Sequence, residues 1–115
     1  MKQYVTLLTF MLFGLVASAQ SPCKDGLCVV QFNAEWNAGK SVNWLGDLTD
    51  CKSGQLLICE NPKYQAKYKI VVVPTIIVFK DGEVHSRHQA DIMMKMIHNQ
   101  EDLQKAIDDA HMDGF

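Results

Sequence analysis

The sequence predicts an α/β fold, with the chain order β-α-β-α-β-β-α and a four-stranded mixed sheet. Three observations predict it. Apolar runs of strand length alternate with segments of helical spacing. The Asp81-Gly82 pair stands between the last two β-prone runs and reads as a hairpin turn. The stretch after Asn99 carries Leu103, Ala106, Ile107 and Ala110 at helical intervals.

Taken in order, the chain opens with a segment that does not count toward the fold. Lys2 gives a positive start, an apolar run fills residues 5–16, and Ala17-Ser18-Ala19 has the small-residue pattern of a cleavage site. Residues 1–19 read as a secretory signal peptide, and the apolar run is short for a membrane span. Residues 20–115 form the expected domain, exported to a periplasmic or secreted location and free of the membrane once the leader is removed.

Leu27-Cys28-Val29-Val30-Gln31-Phe32 is a continuous apolar run after Asp25-Gly26, the pattern of a strand buried on both faces. Val42, Trp44, Leu45 and Leu48 predict a helix over residues 40–51, ended by Ser53-Gly54. A second strand is expected at residues 55–59. Asn61-Pro62 predicts a helix start, with Asn as N-cap and Pro in the first turn, running to about Tyr68. Pro74 cannot donate to a ladder, so the third strand is expected from Ile76. Residues 83–87 then form an antiparallel edge strand. Asn99 caps the last helix, with Glu101 and Asp102 favoured by the helix dipole in its first turn. Strands joined through helices are expected to pair in parallel.

The 115 residues are 48% hydrophobic and 21% charged, which fits one globular domain rather than a disordered chain. The formal charge of −2 leaves no basic excess to neutralise phosphates, so nucleic acid is not an expected partner. Cys23, Cys28, Cys51 and Cys59 follow the leader, so an oxidising compartment permits disulfides among them. Their spacing suits no structural zinc site.

Two blocks carry a family resemblance. Val30-Gln31-Phe32-Asn33-Ala34-Glu35-Trp36 looks like the strand and Trp that lead into a thioredoxin active site. Val73-Pro74-Thr75-Ile76-Ile77-Val78-Phe79-Lys80-Asp81-Gly82-Glu83-Val84 closely resembles the thioredoxin cis-proline segment and its hairpin. The resemblance runs from Gly26 to about Ala110 and implies a thioredoxin-like fold. It also implies a cis bond before Pro74, with the Val73 backbone facing outward beside Trp36 to pair with an extended peptide. Trp36, Val73, Pro74 and Thr75 are therefore the expected peptide-binding residues.

The departures from the family matter as much. The C-x-x-C dithiol that follows the Trp is replaced by Asn37-Ala38-Gly39-Lys40. Dithiol reduction needs a low-pKa thiolate to attack and a second thiol to resolve the mixed disulfide, and neither Asn nor Lys supplies one. The acid that the family buries in this strand is matched by Gln31, which exchanges no proton near neutral pH. The expected function is a non-catalytic peptide- or protein-binding or accessory module of the envelope, with no cofactor.

The alternative is a monothiol redox protein acting through Cys59, expected at the Trp36 end of the sheet. The inferred topology sets Cys23, Cys28 and Cys51 at the other end. One disulfide is expected among those three, drawing in Cys51 through a loop whose closure contributes roughly 3–4 kcal/mol. A minor alternative is soft-metal binding. Met93, Met94, Met96 and His98 cluster in sequence, with His85, His88, His111 and Met112 elsewhere, and thioether and imidazole suit copper. Gap-filling methionines on a helical face are the simpler reading, so no metal ligands are assigned. Residues 34–41 also fit a relaxed phosphate-loop pattern, but Ala34 replaces its first glycine and Trp36 crowds the loop.

Overall fold

The computed structural model describes residues 21–112; the expected leader lies outside them. Strand β1 is Leu27–Asn33, β2 is Lys52–Leu57, β3 is Thr75–Lys80 and β4 is Glu83–Gln89. Helix α1 is Pro62–Lys67 and α2 is Gln100–Met112. The sheet order is β2-β1-β3-β4. All seven residues of β1 are buried, as its unbroken apolar run requires, and it lies inside the sheet.

β1 and β2 are parallel, with Cys28 opposite Lys52 and Asn33 opposite Leu57. β3 runs antiparallel to β1, so the parallel pairing expected of helix-joined strands holds only for the first pair. The reason is reach. A six-residue strand advances about 20 Å, whereas a six-residue helix such as α1 rises about 9 Å. The chain re-enters the sheet at the end it left, with Thr75 opposite Phe32.

The helix expected over residues 40–51 does not form. A first 3-10 turn, Glu35–Lys40, ends where it would begin, and a second, Leu45–Asp47, is the only helical turn within it. Gly39, Gly46, Asn43, Asp47 and Thr49 are poor helix formers, and the apolar residues bury without one. Leu45 and Leu48 pack against Val29, Val78 and α2. Gln31, fully buried, holds this segment to β1: its Oε1 accepts from the Val42 N–H at 2.9 Å and its Nε2 donates to the Val42 C=O at 3.5 Å.

β2 begins earlier than expected and includes Ser53 and Gly54, read from sequence as a break. An edge strand needs only one partner, and β1 supplies it. Pro62 takes the first turn of α1, but Asn61 makes no capping bond; its side chain donates to the Leu57 C=O at 2.9 Å. The Asp81-Gly82 turn has φ of 51° and 89°, the left-handed pair that a tight hairpin needs. At α2, Asn99 and Asp102 bond reciprocally, each side chain to the other's N–H, at 2.9 and 3.0 Å.

The sheet packs on both faces. On one, Val30, Phe32, Ile77 and Phe79 meet Tyr68 and Ile70 after α1. On the other, Leu27, Val29, Ile76 and Val78 meet Leu103 and Ile107 of α2. Cations from the sheet reach the C-terminal carbonyls of both helices: Arg87 donates to the Tyr68 and Lys69 carbonyls, and Lys80 to Ala110 at 2.7 Å.

Candidate functional site

The site lies where β1 ends. Asn33, the last residue of β1, and Asn37, four residues on, are both buried and face each other across the first 3-10 turn. Asn33 Oδ1 accepts from the Ala34 N–H at 2.9 Å and from Asn37 Nδ2 at 3.1 Å. Asn33 Nδ2 donates to the Asn37 C=O at 3.2 Å and to Ser41 Oγ at 2.6 Å. Asn37 Nδ2 reaches two further carbonyls, Val73 at 3.2 Å and Met94 at 3.3 Å. One carboxamide thus ties together three segments distant in sequence. Its two N–H donors are shared among three acceptors.

The Val73–Pro74 peptide bond is cis. Val73 is only 2% exposed, and both of its backbone groups are engaged within the chain. Its C=O accepts from Asn37, and its N–H donates to the Met94 sulfur at 3.3 Å. The Pro74 C=O accepts from the Ala90 N–H at 3.0 Å. Thr75 is buried, its hydroxyl donating to the Val72 C=O at 2.6 Å. Of the four expected peptide-binding residues, only Trp36 presents a side chain to solvent, at 72% exposure. The outward-facing Val73 backbone implied by the resemblance is instead covered by residues 91–95, a segment whose sequence pattern is ambiguous.

Comparison with solved structures finds this architecture elsewhere. The chain is similar to a mutant thioredoxin from Halobacterium salinarum NRC-1, at 21% identity and a TM-score of 0.56, with 74% of each chain covered. It is also similar to a chain from a structure addressing thiol resolution in yeast mitochondrial 1-Cys peroxiredoxin via glutathione/thioredoxin systems. There the identity is 18% and the TM-score 0.55, over 75% of this chain and 80% of the other. The fold is thioredoxin-like. No family model matches the sequence, and no curated protein does.

Within this thioredoxin-like fold the Cys23–Cys28 disulfide and Cys51 lie away from the Asn37 hub, and Cys59 lies at its end of the sheet. Cys23 and Cys28 form a disulfide at the start of β1, the opposite end of that strand from Asn33. Both are 7% exposed. Cys51 is a free cysteine, contrary to its expected part in the bridge. Strand alternation explains why. Lys52 pairs with Cys28, so Cys51 lies beside Leu27 and packs on the other face of the sheet. Burial and the nearby Asp50 push the Cys51 thiol above its ordinary pKa, which keeps it protonated and unreactive. Cys59 is free and exposed in the turn after β2. Its neighbour Ile58 donates to the Asn33 C=O at 2.9 Å, which sets Cys59 at the expected end of the sheet.

The methionines and histidines of the copper reading are not gathered. Met93 is exposed, Met94 packs on the α1 face, and Met96 packs on the α2 face. His98 stands edge-on to His88, with ring centroids 5.1 Å apart. His111 Nε2 lies 2.8 Å from the Asp50 C=O. Among the described residues, no three His, Cys, Asp or Glu side chains are placed to hold a metal ion. The would-be phosphate ligands are also engaged: Lys40 Nζ donates to the Met93 C=O at 3.1 Å, and Ser41 accepts from Asn33.

Sequence reasoning assigned Asn33 no role of its own and offered Met94 only as a soft-metal candidate. Two amides at i and i+4, straddling the end of a buried strand, were the available signal for the first. Nothing local signals Met94, whose partner lies 21 residues away.

Proposed function

We propose that this chain is an exported thioredoxin-like module that binds extended peptide or protein segments and does not perform dithiol reduction at the Trp36 edge. Asn37 carries this reading. The residue that the resemblance sets against the first dithiol cysteine is a buried carboxamide, committed to three hydrogen bonds. A carboxamide neither attacks a disulfide nor resolves one. Exposed Trp36, Val71, Ile92 and Met93 flank the hub and offer apolar area to a partner.

The test has two arms. The purified protein should show no dithiothreitol-driven insulin reduction above background. It should retain a reduced, carboxymethylated unfolded protein on a column, and Trp36→Ala should weaken that retention several-fold. Insulin turnover that persists in Cys59→Ser, or retention unaffected by Trp36→Ala, overturns the reading.

The Cys23–Cys28 disulfide favours a second reading, thiol–disulfide exchange at the far end of the sheet. A partner dithiol would attack one sulfur, form a mixed disulfide and resolve it with its second thiol, leaving Cys23 and Cys28 reduced. Burial of both sulfur-bearing residues opposes rapid attack. Reduction by a thioredoxin-type dithiol within minutes, without denaturant, would favour this reading over the first. The exposed Cys59 thiol is the remaining redox candidate. Alkylation of Cys59 no faster than a free thiol at neutral pH sets it aside.

A further inference from the structure

The Trp36 edge already holds an occupant from its own chain. β4 ends at Gln89 and α2 begins at Gln100. Within the connection, residues 91–95 fold back on themselves. Asp91 Oδ1 accepts from the Met93 N–H at 2.9 Å and from the Lys95 N–H at 3.1 Å. The Asp91 N–H donates to the Lys95 C=O at 2.9 Å, and the Met94 N–H to the Asp91 C=O at 3.0 Å. This small closed loop presents Met94 inward, with φ of 61°.

Met94 takes up two donors of the site at once. Its sulfur accepts from the Val73 N–H, and its C=O accepts from Asn37 Nδ2. Its side chain packs against the apolar cluster that contains Ala34, Ile70 and Val73. The sulfur contact is a poor use of a backbone donor, because a thioether is a weak acceptor and a peptide carbonyl a strong one. An extended peptide laid along this edge would offer carbonyls to both donors and improve the bond to Val73.

We propose that the 91–95 loop is an internal ligand of the Asn37/Val73 edge. Its competitor is an extended apolar peptide with a long unbranched side chain, of the methionine kind, that fills the place of Met94. Asn37 then acts as a reader of the peptide backbone. This inference rests on the peptide-binding reading and deepens it by naming the partner class and the gate.

The experiment compares the full chain with Met94→Gly and Asp91→Ala. Glycine accepts the left-handed backbone at position 94 while removing the sulfur and its packing. Alanine at position 91 unties the loop and leaves the core side chains in place. The probe is a fluorescein-labelled peptide copying residues 90–96, titrated by fluorescence anisotropy, and exchange of the Val73 amide is followed by NMR. Both variants should bind about tenfold more tightly than the parent, as expected when an internal competitor loses one bond and its packing. Val73 amide exchange should quicken by a similar factor in the free variants and slow again with peptide. Replacing the probe methionine matching Met94 by aspartate should abolish binding. Parent and variants binding equally would overturn the gate and leave the binding reading standing. No binding by any of the three would overturn both. Unchanged Val73 exchange in both variants would overturn the latch itself.

Discussion

Asn33 and Asn37 show how two neutral side chains organise a site with no charge. Each satisfies backbone groups that would otherwise be buried without partners, and a lost partner leaves the full desolvation cost behind. Asn33→Ala removes the acceptor for the Ala34 N–H and for Asn37 Nδ2, together with the donor to Ser41. It is expected to lower unfolding stability by about 1–3 kcal/mol, read from urea midpoints. His88 gives the second prediction at this scale. Burial, then the neighbouring His98, hold its pKa below the ordinary value, and Asp102 opposes them weakly. The unfolded chain therefore takes up this proton at higher pH than the folded one. Stability is present above the ordinary histidine pKa of about 6.5 and is lost as pH falls through the folded value. Urea midpoints of the parent should decline across that window, and His88→Gln should flatten the decline. A midpoint that rises on acidification would contradict the sign.

At the scale of elements, the disulfide and the strand register decide which cysteine matters. Cys23–Cys28 closes a short loop, with a sequence separation of 5, beside the Asp81-Gly82 hairpin. Asp81 fastens that turn from the other side, its carboxylate accepting from the Gly26 N–H at 2.8 Å and its N–H donating to the Gly26 C=O at 2.9 Å. A bridge this short contributes about 2 kcal/mol by loop entropy, less than the longer bridge through Cys51 would have given. Cys23→Ala is therefore expected to lower stability by about 2 kcal/mol in denaturant titration. Cys51→Ala should cost no more than about 1 kcal/mol, the loss of a small half-buried side chain. Non-reducing peptide maps should show the 23–28 linkage. A linkage through Cys51 would contradict the register of β1 and β2.

For the whole molecule, the thioredoxin-like sheet carries a buried hydrogen-bonded hub at the Asn33 end of β1. β1 ends in that hub at Asn33 and Asn37, and Met94, in the loop before α2, packs against the edge formed by Val73 and cis-Pro74. Export remains a proposal from the leader sequence, and intact mass decides it: protein recovered from outside the cytoplasm should begin at Gln20. Recovery of that exported protein with residues 1–19 attached would contradict the leader assignment.

The amino-acid sequence alone determined three of the four strands, the hairpin and the last helix, because each is written in short-range pattern; the bounds of the edge strand β2 were not. An unbroken apolar run makes a doubly buried strand, Asp81-Gly82 makes the turn, and Leu103, Ile107 and Ala110 make one buried stripe. The absence of a C-x-x-C motif after Trp36 was equally legible, since it is a matter of residue identity at Asn37 and Lys40. Tertiary structure alone decided the rest. That residues 40–51 do not coil into a helix follows partly from the poor helix formers Asn43, Gly46 and Asp47, but where Val42 and Leu45 bury instead depended on what Gln31 and the sheet offered them. Whether Cys51 meets Cys28 depended on register, where a single residue moves a side chain to the other face. The edge was closed by Met94 reaching Val73 and by Asn37 reaching Val73 across 36 residues. Contacts of that separation leave no periodic trace in the chain, because they are fixed by where folded elements place their ends.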